Sequence, residues 1–180
     1  MSIFNIILLT ILSLHLYNRW AKKFDIFQKN KIFCPININN SHWTLLVMYI
    51  KLKKIVYYDS MGRSSCSKYL NGALRYLGDE ADRLGRGFLP DEWELVPTDL
   101  NNTPQQQNGY DCGVFTIMFA DFLTHNLPLS FSQEIIQLCR KKICLNIIRG
   151  YLDDQEVSLK CSSTSSVNNH ISNTDPDPVI

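Results

Sequence analysis

Cys112 stands where a polar loop, Asn101 to Asp111, gives way to an apolar stretch from Gly113 to Leu123 that is long enough for a buried helix. At such a junction the free backbone N–H groups and the positive end of the helix dipole favour a thiolate. Gly113 behind it leaves room for a substrate backbone to approach. A thiol nucleophile also needs an imidazole to take and return its proton, a group to orient that imidazole, and a donor for the oxyanion. His42 lies just before one β-rich run, Trp43 to Tyr49, and Asp59 just after the next, Ile55 to Tyr58. The two runs read as an antiparallel hairpin, which brings His42 and Asp59 side by side. A carboxylate in that position fixes the imidazole tautomer and stabilises the imidazolium that a thiolate requires. Gln106, on the loop before Cys112, can reach back to donate its amide hydrogen to an oxyanion.

Each residue taken alone has a plainer reading. A cysteine at a helix start is commonly a small buried side chain, and a histidine at a strand edge a surface or capping residue. Asp59 before Ser60, Met61 and Gly62 suits a turn, and Gln106 sits in a run of three glutamines that could simply be solvated. Spacing and order together carry the catalytic reading.

The elements that must position these residues follow from periodicity. Ile32 to Ile36 reads as a strand ahead of the hairpin. From Ser65 to Leu77, apolar Tyr69, Leu70, Ala73, Leu74 and Leu77 recur at three and four behind a serine-rich start suited to capping a helix. Gly78 to Pro90 reads as a surface connection and Trp93 to Val96 as a strand. Ser130 and Gln133 form a capping box for a last helix reaching about Arg149, whose broad apolar set, from Ile135 to Ile148, predicts good coverage. Residues 153–180, rich in Ser, Asn, Asp and Pro, predict a disordered tail. A few strands among several helices give an α+β domain over residues 1–152.

Composition narrows the function. The 180 residues fit one domain, and 45% apolar content suffices for a core. Eighteen Lys and Arg against 17 Asp and Glu leave a charge of +1, without the basic excess that tracks nucleic acid. Six cysteines without a CxxC pair suggest a reducing compartment and no metal site. The apolar run from Ile3 to Leu16 is short for a membrane span, lacks a basic n-region and reads as a buried helix; inserted as an anchor, it would keep the rest of the chain cytosolic because Arg19, Lys22 and Lys23 follow it.

The strings Ser41-His42-Trp43, Tyr57-Tyr58-Asp59-Ser60-Met61-Gly62 and Pro104-Gln105-Gln106-Gln107-Asn108-Gly109-Tyr110-Asp111-Cys112-Gly113 resemble the active-site motifs of the SUMO-specific (sentrin-specific, Ulp-type) cysteine proteases, in the same chain order. The likeness runs over about residues 17 to 150, taking in Arg19-Trp20, Asp25-Ile26-Phe27 and Pro35-Ile36-Asn37 upstream, and Pro128 to Phe131 and Arg140 to Lys142 downstream. It implies a papain-like α+β fold and hydrolysis of peptide or isopeptide bonds after the C-terminal diglycine of a ubiquitin-like modifier, SUMO first among them. It also implies that Trp43 covers the diglycine in a narrow tunnel, which suits residues recognised by the slimness of their backbone. Family domains carry a longer segment upstream that nothing here matches, so the domain is expected to be N-terminally truncated relative to the family.

Two other readings stay open: a protease for the Nedd-type modifier, against which Trp20 to Phe27 favours the SUMO branch, and a catalytically weak module that binds a ubiquitin-like modifier. The expected partner is the modifier with its conjugates, with no cofactor, no nucleic acid and no membrane. A monomer in the nucleus, the cytoplasm or both is expected.

Overall fold

The computed structural model describes residues 6–8, 25–62 and 65–150. Five strands form one sheet in chain order: β1 (Ile6–Leu8), β2 (Lys31–Ile38), β3 (His42–Tyr49), β4 (Lys54–Tyr58) and β5 (Glu94–Val96). The central pairs β2–β3 and β3–β4 are antiparallel, and the outer pairs β1–β2 and β4–β5 are parallel. Three helices complete the described chain: α1 (Ser67–Arg83), α2 (Cys112–Thr124) and α3 (Ile136–Arg149). The α+β class and the hairpin thus stand as the sequence predicts.

Strand alternation divides the sheet into two faces. Ile32, Cys34 and Ile36 of β2, Leu46 and Met48 of β3, and Ile55 and Tyr57 of β4 join Leu70, Ala73 and Leu77 of α1 in one buried cluster. The opposite parity carries Tyr58, whose ring centre lies 5.9 Å from that of Phe119 on α2. There Phe115, Phe119, Phe122 and Phe131 are buried together, with ring centres 5.2 to 6.1 Å apart in the pairs that touch. Each such side chain contributes about 1.5–3 kcal/mol by leaving water, against about 1 kcal/mol for a side-chain cap. Burial therefore seats α2, which indeed has no side-chain cap.

Several expectations are corrected. Within the Ile3 to Leu16 run, Ile6–Leu8 is a strand beside Lys31–Phe33 and not part of a helix. α1 continues through Gly78 to Arg83, where a surface connection was expected. Ala81 is buried, Arg83 pairs with buried Glu80 at 2.7 Å, and the Phe88 ring packs over Gly78 where a Cβ would meet it at 3.4 Å. Those contacts outweigh the intrinsic helix cost of one glycine, about 1 kcal/mol. The serine-rich start does not cap α1, which begins after Cys66 without a side-chain cap bond. Of the apolar set on α3 only Ile136 is buried, while Leu138 is 67% exposed and Leu145, Ile147 and Ile148 are exposed too.

Residues 1–143 form one compact unit and residues 144–180 a second, which begins within α3. In the second, the described residues are the end of that helix and Gly150, whose positive φ of 71° lets its N–H close on the carbonyl of Asn146 at 3.0 Å. The expected tail, residues 153–180, and the match at Arg19-Trp20 lie outside the described residues. No helix among the described residues is long and apolar enough to cross a membrane.

Candidate active site

His42 opens β3 directly after a tight turn in which Asn39 and Asn40 both take positive φ (50° and 53°) and Ser41 N–H bonds the Ile38 carbonyl at 3.0 Å. Asparagine tolerates that backbone better than any other side chain-bearing residue except aspartate, so the turn chemistry sets where His42 emerges. Asp59 follows β4 and starts a second turn. Its Oδ1 accepts the Met61 N–H at 2.8 Å, and Gly62 N–H bonds the Asp59 carbonyl at 3.2 Å. Gly62 has φ of 60°, and a Cβ there would lie 2.4 Å from Leu100, so the turn requires glycine.

The hairpin brings the two side chains together as expected: His42 Nε2 lies 2.7 Å from Asp59 Oδ1. The carboxylate can only accept, so Nε2 carries the hydrogen and the neutral ring presents Nδ1 as its acceptor. Nδ1 is buried and has no hydrogen-bond partner among the described residues. A buried acceptor left unused is costly, and this one is available to take a proton.

Cys112 is the first residue of α2, and α2 packs along β3. The two elements meet at Trp43, whose Cδ1 stands 3.6 Å from the point where a Cβ on Gly113 would sit. Trp43 is 36% exposed. One face of the residue therefore rests beside the neighbour of Cys112 while the remainder meets solvent. If, as the resemblance implies, Trp43 covers a diglycine, Trp43→Ala is expected to cost about 10²-fold in rate on a diglycine-ended modifier, because a scissile bond shifted slightly from Cys112 loses near-attack geometry. Reaction with a small thiol reagent and the melting temperature should change little. A parallel fall in all three would make Trp43 a packing residue only.

Gln106 is held at both ends. Ser60 Oγ donates to its Oε1 at 2.6 Å, its backbone N–H bonds the Ser60 carbonyl at 2.8 Å, and its Nε2 donates to the Asn108 carbonyl at 2.6 Å. The amide nitrogen has two hydrogens, so one remains for an oxyanion. Gln105 instead donates to the carbonyls of Asp59 and Thr103, at 3.2 and 3.0 Å, and the side chain of Gln107 is exposed. A cavity of about 540 Å³ opens beside Gln106, lined by Met61 and residues 106–109.

Sequence reasoning missed what supports this loop. Asp111 is fully buried; its Oδ2 accepts from Asn108 at 2.7 Å and from Gln133 at 2.9 Å, and its Oδ1 from Arg140 at 2.5 Å. Burial works to raise the Asp111 pKa, but the bonds from Asn108, Gln133 and Arg140 and the Arg140 charge hold it below the usual carboxylate range. The expected capping box is not made: no side-chain cap forms at Ser132, the residue that starts this turn, and the Gln133 amide is spent on the loop. No local pattern announces such partners. Cys34, Cys66, Cys112 and Cys144 are in no disulfide, and burial pushes the Cys34 thiol well up, which leaves it inert.

The match to known proteins is extensive. Residues 14–158 match the model of the Ulp1 protease family, C-terminal catalytic domain. Sentrin-specific protease 2 of Mus musculus is 34% identical over 135 residues, covering 74% of this chain and 23% of that protein. The putative ubiquitin-like-specific protease 1B of Arabidopsis thaliana is 34% identical over 137 residues, 73% of this chain and 39% of that one. The match thus spans 23% and 39% of the length of these two curated relatives. Among solved structures, the C-terminal Ulp1 protease domain in complex with Smt3, the yeast ortholog of SUMO, aligns with a TM-score of 0.64 at 31% identity, covering 73% of this chain and 59% of that one.

Proposed function

The chain belongs to the Ulp1 protease family, and from that premise we propose that it is a cysteine protease that cuts after the C-terminal diglycine of a ubiquitin-like modifier, SUMO in the first place. The observation that carries the reading is the His42–Asp59 bond of 2.7 Å with Nδ1 left free, next to a helix that begins at Cys112. The substrate is supported by the relatives, named as sentrin-specific and ubiquitin-like-specific proteases, and by the structure bound to Smt3. In this reading the catalytic domain occupies residues 1–152, and a thiol nucleophile suits a reducing nucleus or cytoplasm.

The reaction runs through a thioester. Cys112 Sγ, its proton passed to His42 Nδ1, attacks the carbonyl carbon of the terminal glycine, and the carbonyl electron pair moves to oxygen, where the second amide hydrogen of Gln106 meets it. Collapse of that intermediate breaks the C–N bond as His42 returns the proton to the departing amine. Water then attacks the thioester, with His42 taking one proton and returning it to the departing Cys112 sulfur, and the modifier leaves as a carboxylic acid that gives its remaining proton to solvent. Asp59 keeps the ring in the required tautomer throughout. Trp43 lies over the diglycine.

Gln106→Ala is expected to lower kcat about 10²-fold with KM little altered, the scale of one lost oxyanion donor. Gln105→Ala and Gln107→Ala should cost much less; equal losses at all three would assign the effect to loop shape. The reading as a whole is tested with thiol-reactive probes built on the C-terminus of each modifier. Labelling of Cys112 by the SUMO probe supports it, preference for the Nedd-type probe would reassign the branch, and binding without labelling would make the chain a modifier-binding module.

A further inference from the structure

Gln133 faces two ways. Its Oε1 accepts the backbone N–H of Gln107 at 2.8 Å, and its Nε2 donates to Asp111 Oδ2 at 2.9 Å. One side chain thus grips the residue after Gln106 and the residue before Cys112, although it lies 22 positions beyond Asp111 and on a different element. We propose that Gln133 is a positioning residue, which clamps the Gln106 loop to the start of α2 through Asp111 and so holds oxyanion donor and nucleophile in one fixed relation. The inference rests on the roles given above to Gln106 and Cys112.

The chemistry of Asp111 explains why the clamp has an anchor. A carboxylate fully out of water must be met by donors, and here three side chains meet it: Asn108 from the loop itself, Gln133 from the turn before α3, and Arg140 from α3. The Asn108 that donates to Asp111 also offers the carbonyl that holds the Gln106 amide, at 2.6 Å. The loop is polar and has no strand or helix to order it between Thr103 and Asp111. Its geometry therefore comes from these side chains together with the bonds that tie Gln105 and Gln106 to Asp59 and Ser60. Asp111 is the immovable point, since moving it would strand a buried charge. Gln133 is half-buried and bonds the loop through its amide, so its removal loosens the loop without emptying a core position.

A double-mutant cycle tests this, with Gln133→Ala made alone and in the Gln106→Ala background. On a SUMO-derived diglycine substrate, Gln133→Ala alone should lower kcat about tenfold with KM within about twofold, the signature of a misplaced transition-state donor. In the Gln106→Ala background the same change should cost less than about twofold, because no donor remains to be misplaced. A second measurement needs no turnover. A peptide aldehyde ending in Gly-Gly adds to Cys112, with the S–C bond forming as the carbonyl oxygen takes up the thiol proton, and its affinity draws on the same donor. That affinity should fall about tenfold on Gln133→Ala only when Gln106 is present. Equal losses in both backgrounds, or no loss at all, would overturn the clamp while leaving the protease reading in place. Turnover or aldehyde affinity that survives Cys112→Ala would overturn the protease reading and the clamp with it.

Discussion

Cys112→Ala is expected to abolish hydrolysis of a diglycine-ended modifier while the modifier still binds. The thioester requires a sulfur to bond the carbonyl carbon, and no neighbouring group can substitute for it. Binding survives because the side chain contributes little contact area; Cys112 is only 6% exposed. The fold should tolerate the change, since a thiol and a methyl group differ little in a buried position and α2 is seated by its aromatic residues. Cys139→Ala serves as the control and should leave turnover nearly unchanged. Turnover of the Cys112→Ala protein near the wild-type rate would remove the central assignment.

His42→Ala is the second large effect, a fall in kcat of about 10²–10⁴-fold, the range for losing one positioned acid–base group. The ring does two jobs: as imidazolium it stabilises the thiolate, and through Nδ1 it returns a proton to the leaving amine. Its loss also leaves the buried Asp59 carboxylate with the Met61 N–H but without His42 on the same oxygen. Alkylation of Cys112 by iodoacetamide separates catalysis from folding. In the variant it should be slow near neutral pH and recover in base, where hydroxide takes over the removal of the thiol proton. Fast alkylation at neutral pH in the variant would show that His42 does not activate the sulfur, and failure to recover in base would point to a damaged fold.

Much of this site was legible before any coordinates because its key pairing is local. His42 and Asp59 are 17 residues apart, joined by one short hairpin, and a hairpin admits little freedom in where its ends meet. Cys112 was legible because a polar loop running into an apolar helix is itself a sequence pattern. Periodicity misled where tertiary contacts override propensity. Gly78 reads as a break but lies inside α1 under the Phe88 ring, and Ile6–Leu8 reads as helix but pairs in parallel with β2.

The residue types and spacing along the chain were enough to single out the candidates for nucleophile, base, orienting acid and oxyanion donor, since each role needs a particular functional group at the end of a particular element. What only the tertiary structure decided is which atoms are spent and which are left. It turned His42 so that Nε2 meets Asp59 and Nδ1 stays free, laid Trp43 against Gly113, and bound Gln106 to Ser60 and Asn108 with one amide hydrogen remaining. It also gave Gln133 and Arg140 to Asp111 across 22 and 29 residues of chain. Hydrogen-bond partners at that separation are chosen by packing, where the cost of an unmet buried donor or acceptor selects one arrangement, and no period or spacing in a sequence encodes that choice.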